Sequence, residues 1–157
     1  MSKVLSGNPR CYRPLVPAPD RRPIGLQLAA TAKDVGRAFD EALAAAGGSR
    51  PTWLLLLQLK LRGTASQRQL AEAVGIRGAT ASHHLDAMET AGLLTRRRDP
   101  DARRTHIVEL TPAGDKAFHR LRAAAADFDA RLRTGVSETE VAELADLLAR
   151  LAGNVRT

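Results

Sequence analysis

The side chains with chemical reach in this sequence are mostly arginines, and they are unevenly placed. Arg97 and Arg98 end the run Leu93–Arg98, and Arg103 and Arg104 close the loop that follows, Asp99-Pro100-Asp101-Ala102-Arg103-Arg104. Guanidinium groups gathered on one loop neutralise phosphates or enter a narrow minor groove. Shortly upstream, Arg77-Gly78 opens a helical stretch whose outward positions are Ala79, His83, Asp86 and Thr90, with Thr80, Ser82 and Ala87 flanking them. Side chains this short let a helix backbone approach base edges in a major groove, where hydroxyl and imidazole groups exchange hydrogen bonds with the bases. The chemistry these residues offer is recognition of a duplex polyanion.

Other chemistries find little support. There is no nucleophile–base set, no carboxylate pair and no glycine-rich phosphate loop, so an enzyme is not expected. His83 and His84 are adjacent and diverge by about 100° on a helix, whereas two ligands to one ion need i,i+4 spacing. His106 and His119 stand apart and Cys11 is the one cysteine, so neither a metal nor a cofactor is expected. Aromatic residues make up 3% of the chain, too few for the stacking platforms that single strands require. No run of about 20 apolar residues and no leader pattern is present, which points to a cytoplasmic protein with no membrane partner.

The elements that must position the basic residues follow from charge and periodicity. The formal net charge is +7 over 157 residues, with 44% hydrophobic residues, a basic chain able to bury a core. Residues 1–23 carry +4 and five of the eight prolines, and read as a flexible tail. Residues 24–59 are neutral, 60–106 carry +4 and 107–157 carry −1.

After Pro23, the apolar positions Leu28, Ala32, Val35, Phe39, Ala42 and Ala46 predict a long helix that ends at Gly47-Gly48. Arg50-Pro51 opens a second helix, apolar nearly all round and expected to be buried on all sides. Gly63-Thr64-Ala65 leads into Ser66-Gln67-Arg68-Gln69, a capping box starting a short helix that Gly75 stops. The next helix, 78–91, turns Ala81, Leu85 and Met88 inward. Leu93–Arg98 and Thr105–Leu110 then read as a hairpin. Thr111-Pro112 restarts helix with Phe118, Leu121, Ala125, Phe128 and Leu132 on one stripe. Ser137 with Glu140 caps a last helix carrying Val141, Leu144, Leu148, Leu151 and Val155. The fold class is mainly α with a small β-hairpin wing (α+β).

Two short helices joined at a glycine and followed by a strand, a basic loop and a strand are the order of a winged helix-turn-helix. The run LAEAVGIRGATASHHLDAMETAGLLTRRRDPDARRTHIVELTPAG, residues 70–114, resembles the MarR family of bacterial regulators. Its most specific parts are the wing from Arg96 to Gly114 and the preceding Met88-Glu89-x-x-Gly92-Leu93-Leu94.

The resemblance implies a domain over residues 24–157: a dimerisation helix at 24–48, a winged helix-turn-helix at 50–111 and further dimerisation helices at 112–157. It implies a homodimer on a pseudo-palindromic operator in double-stranded DNA, usually a repressor released by a small aromatic ligand or by oxidation. Arg103 falls on the family's wing arginine, with Asp101 the acidic residue that orients it. Thr80, Ser82 and His83 fall on the recognition helix, and Gln67 and Arg68 where backbone phosphates are met. The ligand pocket of such proteins corresponds here to Phe39, Trp53, Leu57 and Phe118. In an oxidation-responsive branch the sensing cysteine sits in the first helix, and the candidate here, Cys11, precedes that helix by over ten residues, with Arg10 and Arg13 favouring its thiolate.

The chain departs from the pattern in two places. Arg77-Gly78 stands where Ser-Pro is common, a weaker helix cap, and His83-His84 where arginine or lysine often stands, so DNA affinity should rise below about pH 6.5. Two alternatives stay open at this point, a nonspecific DNA-compacting protein and a helical module that meets protein instead of DNA.

Overall fold

A computed structural model describes residues 22–98 and 106–156. Cys11, Asp101, Arg103 and Arg104 lie outside the described residues. The element order is α1 (Ile24–Ala45), α2 (Arg50–Arg62), β1 (Thr64–Ser66), α3 (Gln67–Val74), α4 (Gly78–Thr90), β2 (Leu94–Arg98), β3 (His106–Leu110), α5 (Pro112–Leu132) and α6 (Glu138–Asn154). The chain divides into two compact units that meet within α1, one ending at Val35 and one running from Gly36 to Thr157. In the first unit the Pro23 carbonyl accepts from the Leu26 and Gln27 amides, at 3.0 and 3.1 Å, and starts the helix. Ile24 and Leu26 are each 63% exposed.

In the second unit α2 supplies the centre of the core. Leu55, Leu56 and Leu59 are fully buried, together with Leu43, Leu70, Leu85 and Leu121. Each such leucine stabilises the fold by about 1.5–3 kcal/mol relative to exposure. Burial on all sides of α2 is not observed: Leu61, in its last turn, is 72% exposed. The expected two-stranded hairpin is a three-stranded antiparallel sheet in the order β1-β3-β2. Thr64, Ala65 and Ser66 pair with Glu109, Val108 and Ile107. A three-residue strand with only Ala65 turned inward is too short to show a period of two, so the sequence reads there as a lead into helix.

Helix boundaries follow local chemistry. The Ser66 and Ser137 boxes are both formed, and Gly75 stops α3 in the left-handed conformation, at φ 72°. The Thr111 hydroxyl accepts from the Gly114 amide (3.0 Å) to start α5. At that point α5 rests on the entry to β2. Thr111 donates its amide to the Leu93 carbonyl (3.1 Å) and its hydroxyl to the Gly92 carbonyl (2.6 Å). Elsewhere Arg50 clamps α1 to α2, donating to Asp40 through two bonds of 2.9 Å and to the Gly36 carbonyl at 2.6 Å.

α6 buries none of its residues. Leu144, Leu147 and Leu148 on it are 53%, 50% and 39% exposed, and Val155 just beyond it is 79% exposed. Among the described residues no helix is long and apolar enough to cross a membrane.

Candidate nucleic-acid interface

The interface begins with the Ser66 box, because it sets where α3 starts. The Ser66 hydroxyl accepts from the Gln69 amide (3.2 Å), and the Gln69 side chain accepts from the Ser66 amide (2.8 Å). Gln67 and Arg68 thereby occupy the first turn of α3. Arg68 donates to Glu72 at 2.8 Å and remains 88% exposed, so the pair lies along the helix surface. That hydrogen bond and the Glu72 charge push the guanidinium pKa up.

After Gly75 the chain enters α4 through Arg77, whose backbone is extended and whose side chain makes no capping bond. The weak cap expected at this position is therefore observed. Ala81, Leu85 and Met88 anchor α4 in the core with 0%, 0% and 3% exposure, which turns the opposite face outward. Ala79, Thr80 and His83 are exposed on that face, while Ser82 and His84 are half-buried. The His83 and His84 ring centroids are 5.9 Å apart, and the rings are tilted 54° from one another.

The wing strands bring their basic residues alongside. Arg97 stands opposite Ile107, and Arg98 opposite His106. Arg97 donates to Glu109 at 2.8 and 3.1 Å, so part of its charge is already matched within the sheet. Arg98 and His106 are exposed. Residues from α3, the start of α4 and the start of β3 line one cleft of about 640 Å³, with Gln67, Arg68, Glu72, Gly78 and His106 on its walls. Three elements from separate parts of the sequence thus present one continuous surface.

Arg96 was not among the sequence candidates, yet four hydrogen bonds tie it to α4. Its guanidinium donates to Glu89 Oε2 (2.8 Å from Nε, 2.5 Å from Nη2) and to Asp86 Oδ1 (2.5 Å), and its amide donates to Glu89 Oε1 (3.1 Å). Hydrogen bonding from Arg96 holds the Glu89 carboxyl below the usual carboxylate range, and the same bonds push the guanidinium pKa up. The sequence does hold a signal. In a period of two Arg96 shares the strand face of buried Leu94, and an arginine on an inward face requires carboxylate partners.

Phe39, Trp53, Leu57 and Phe118 are also gathered, but as packed core. Phe118 is 5% exposed and the other three pack against the core cluster. Trp53 stacks on Phe118 with centroids 5.7 Å apart, and Phe39 meets Phe128 at 5.1 Å. Lys60 lies over the Phe118 ring at 5.7 Å and pairs with Asp115, which His119 approaches at 3.4 Å.

Comparison with known proteins places these features in context. Residues 49–106 match the model of the MarR family. The chain is 31% identical over 129 residues to the uncharacterised HTH-type transcriptional regulator YdgJ of Bacillus subtilis, covering 82% of this chain and 77% of that protein. The crystal structure of transcriptional regulator PA3341 is similar at 34% identity and a TM-score of 0.70, over 85% of this chain and 98% of that one. The transcriptional repressor CouR, solved on a 23-mer DNA duplex, is similar at 27% identity and a TM-score of 0.76, over 83% of this chain and 92% of that one.

Proposed function

The chain belongs to the MarR family of DNA-binding transcriptional regulators, and on that premise we propose that it is a cytoplasmic homodimeric repressor that reads a pseudo-palindromic operator. One observation carries the reading. The outward face of α4 exposes Ala79, Thr80 and His83, and the start of this helix shares one cleft with Arg68 of α3 and His106 of the wing. In this reading Ala79, Thr80, Ser82 and His83 meet base edges in a major groove, while Gln67, Arg68, Arg77, Arg97 and Arg98 meet phosphates. Arg103, oriented by Asp101, enters the adjacent minor groove, and Arg104 adds a phosphate contact. The similarity to CouR, a repressor solved on a duplex, supports this use of the surface.

The dimer rests on apolar surface that one chain leaves in water. Four large hydrophobics on or next to α6 are at least 39% exposed, and Ile24, Leu26 and Leu28 at the start of α1 are 63%, 63% and 40% exposed. On α6, Leu144, Leu147 and Leu148 fall at i, i+3 and i+4 and so share one helix face, and an exposed apolar face of this kind marks an association surface. A two-fold dimer sets two recognition helices about 34 Å apart, one DNA turn, or a multiple of it.

Release by a small aromatic ligand completes the reading. A ligand seated among Phe39, Trp53, Leu57 and Phe118 has to part the stacked Trp53 and Phe118 rings, and Trp53 is the chain's one tryptophan. Its emission therefore reports occupancy. Oxidation of Cys11 is the other route of release, and mass spectrometry of protein freed from DNA by peroxide tests it.

The decisive experiment is selection of duplexes from a random pool, followed by binding in excess unrelated DNA. An enriched inverted repeat that resists competition supports the reading. Binding that unrelated DNA abolishes shows a nonspecific binder, and absence of binding at low salt refutes DNA recognition.

A further inference from the structure

Asp86 and Glu89 are the two carboxylates of α4, and both turn to one residue of the neighbouring strand. Arg96 spans them through its guanidinium, and its amide holds the second Glu89 oxygen. The Arg96 side chain is 20% exposed, against 58% for Asp86 and 38% for Glu89, so the guanidinium is shielded while the two carboxylates still face water. The chain joining α4 to β2 is only Ala91-Gly92-Leu93, with Gly92 in the left-handed conformation at φ 70°. Helix and strand thus form two arms that meet near Gly92, and Arg96 ties the arms together away from that junction. A planar guanidinium held by two carboxylates resists rotation where a single ion pair would not.

We propose that Arg96 is a positioning residue, which with Asp86 and Glu89 holds the recognition helix and the wing at the angle where both fit one duplex, and so sets discrimination between operator and unrelated DNA. This rests on the reading of α4 and the wing as the DNA surface. The reason is the division of labour at such interfaces: base contacts specify, and phosphate contacts give affinity that does not depend on sequence. Binding through phosphates tolerates a loose angle between the two elements. Reading base edges with α4 while the wing sits in its groove does not.

The clamp and plain electrostatics predict opposite signs. Removing both carboxylates makes the DNA-facing surface more positive, which by charge alone tightens binding to every duplex. In the double variant Asp86→Ala/Glu89→Ala the clamp predicts instead an operator affinity lowered about tenfold or more, the scale of one lost base contact. Affinity for an unrelated duplex at low salt should be unchanged or higher.

The test measures both affinities, on the duplex enriched by wild-type protein from a random pool and on a scrambled duplex, with helical content and thermal melting followed in parallel. Arg96→Lys keeps the charge and removes the fork. It should show the same selective loss on the operator, and it decides the matter if the double variant fails to fold. Operator affinity that is unchanged, or that rises with nonspecific affinity, overturns the clamp. So does an equal fall on both duplexes in a folded variant. Wild-type protein that enriches no sequence refutes the DNA reading itself, and the clamp with it.

Discussion

A β-carbon on Gly114 would lie 1.8 Å from the carbonyl oxygen of Leu93. The first turn of α5 therefore sits directly on the backbone that leaves the recognition helix for the wing, and Thr111 bonds to the carbonyls of both Leu93 and its neighbour Gly92. A helix of the proposed dimer frame is fastened to the pivot of the proposed DNA surface.

Gly114→Ala should consequently destabilise the fold by about 3 kcal/mol, the upper part of the usual overpacking range, because the obstacle is backbone and cannot rotate away. Urea denaturation checks this. A variant as stable as wild type would show that α5 can lift from Leu93 without cost.

Arg77 occupies the N-cap of α4 with an extended backbone and no capping bond, so a serine there can accept from the first turn. Arg77→Ser should stabilise the protein by about 1 kcal/mol. The same change removes a cation from the proposed interface and should lower the slope of log affinity against log salt by about 1. Thermal melts and salt titrations should therefore move in opposite directions.

The Asp115 carboxyl is held below its usual range, first by the hydrogen bond from Lys60 and then by the charges of Lys60 and His119. A depressed carboxylate pKa contributes stability that is present above the unfolded value, about 3.9, and is lost as pH falls through the folded value. Lys60→Met should be less stable than wild type at pH 7, and the gap should narrow as the pH drops below 4. Urea midpoints across that range give the answer, and a gap independent of pH would show that the pair contributes nothing.

Leu148→Glu places a charge on the exposed apolar face of α6. It should leave the helical content intact while shifting the mass measured by light scattering from dimer to monomer. Operator affinity should fall with it, since one lobe then binds a half-site alone. A dimer of unchanged stability would remove α6 from the interface.

Arg103→Ala should weaken operator binding by about 1–3 kcal/mol without changing the melting temperature. Equal affinity across salt concentrations would take Arg103 out of the groove.

What could be read in advance and what could not divide by distance along the chain. Helix starts at Ser66, Thr111 and Ser137, the stop at Gly75 and the buried face Ala81, Leu85 and Met88 were legible, because each rests on a hydrogen bond or periodicity within a few residues. So was the order of elements that builds the winged surface.

The sequence alone therefore determined which helices and wing strands form and which side of α4 faces outward. Only the tertiary structure decided that Thr64–Ser66 is a strand, since its pairing partner lies some forty residues away on β3. It likewise decided that Arg97 is matched by Glu109, that Arg96 ties α4 to the wing, and that Phe118 is filled space under Trp53. The physical reason is common to these cases. Capping and amphipathicity act through the local backbone, whereas ion pairs between elements and aromatic stacking depend on which surfaces the packed core brings within a few ångströms.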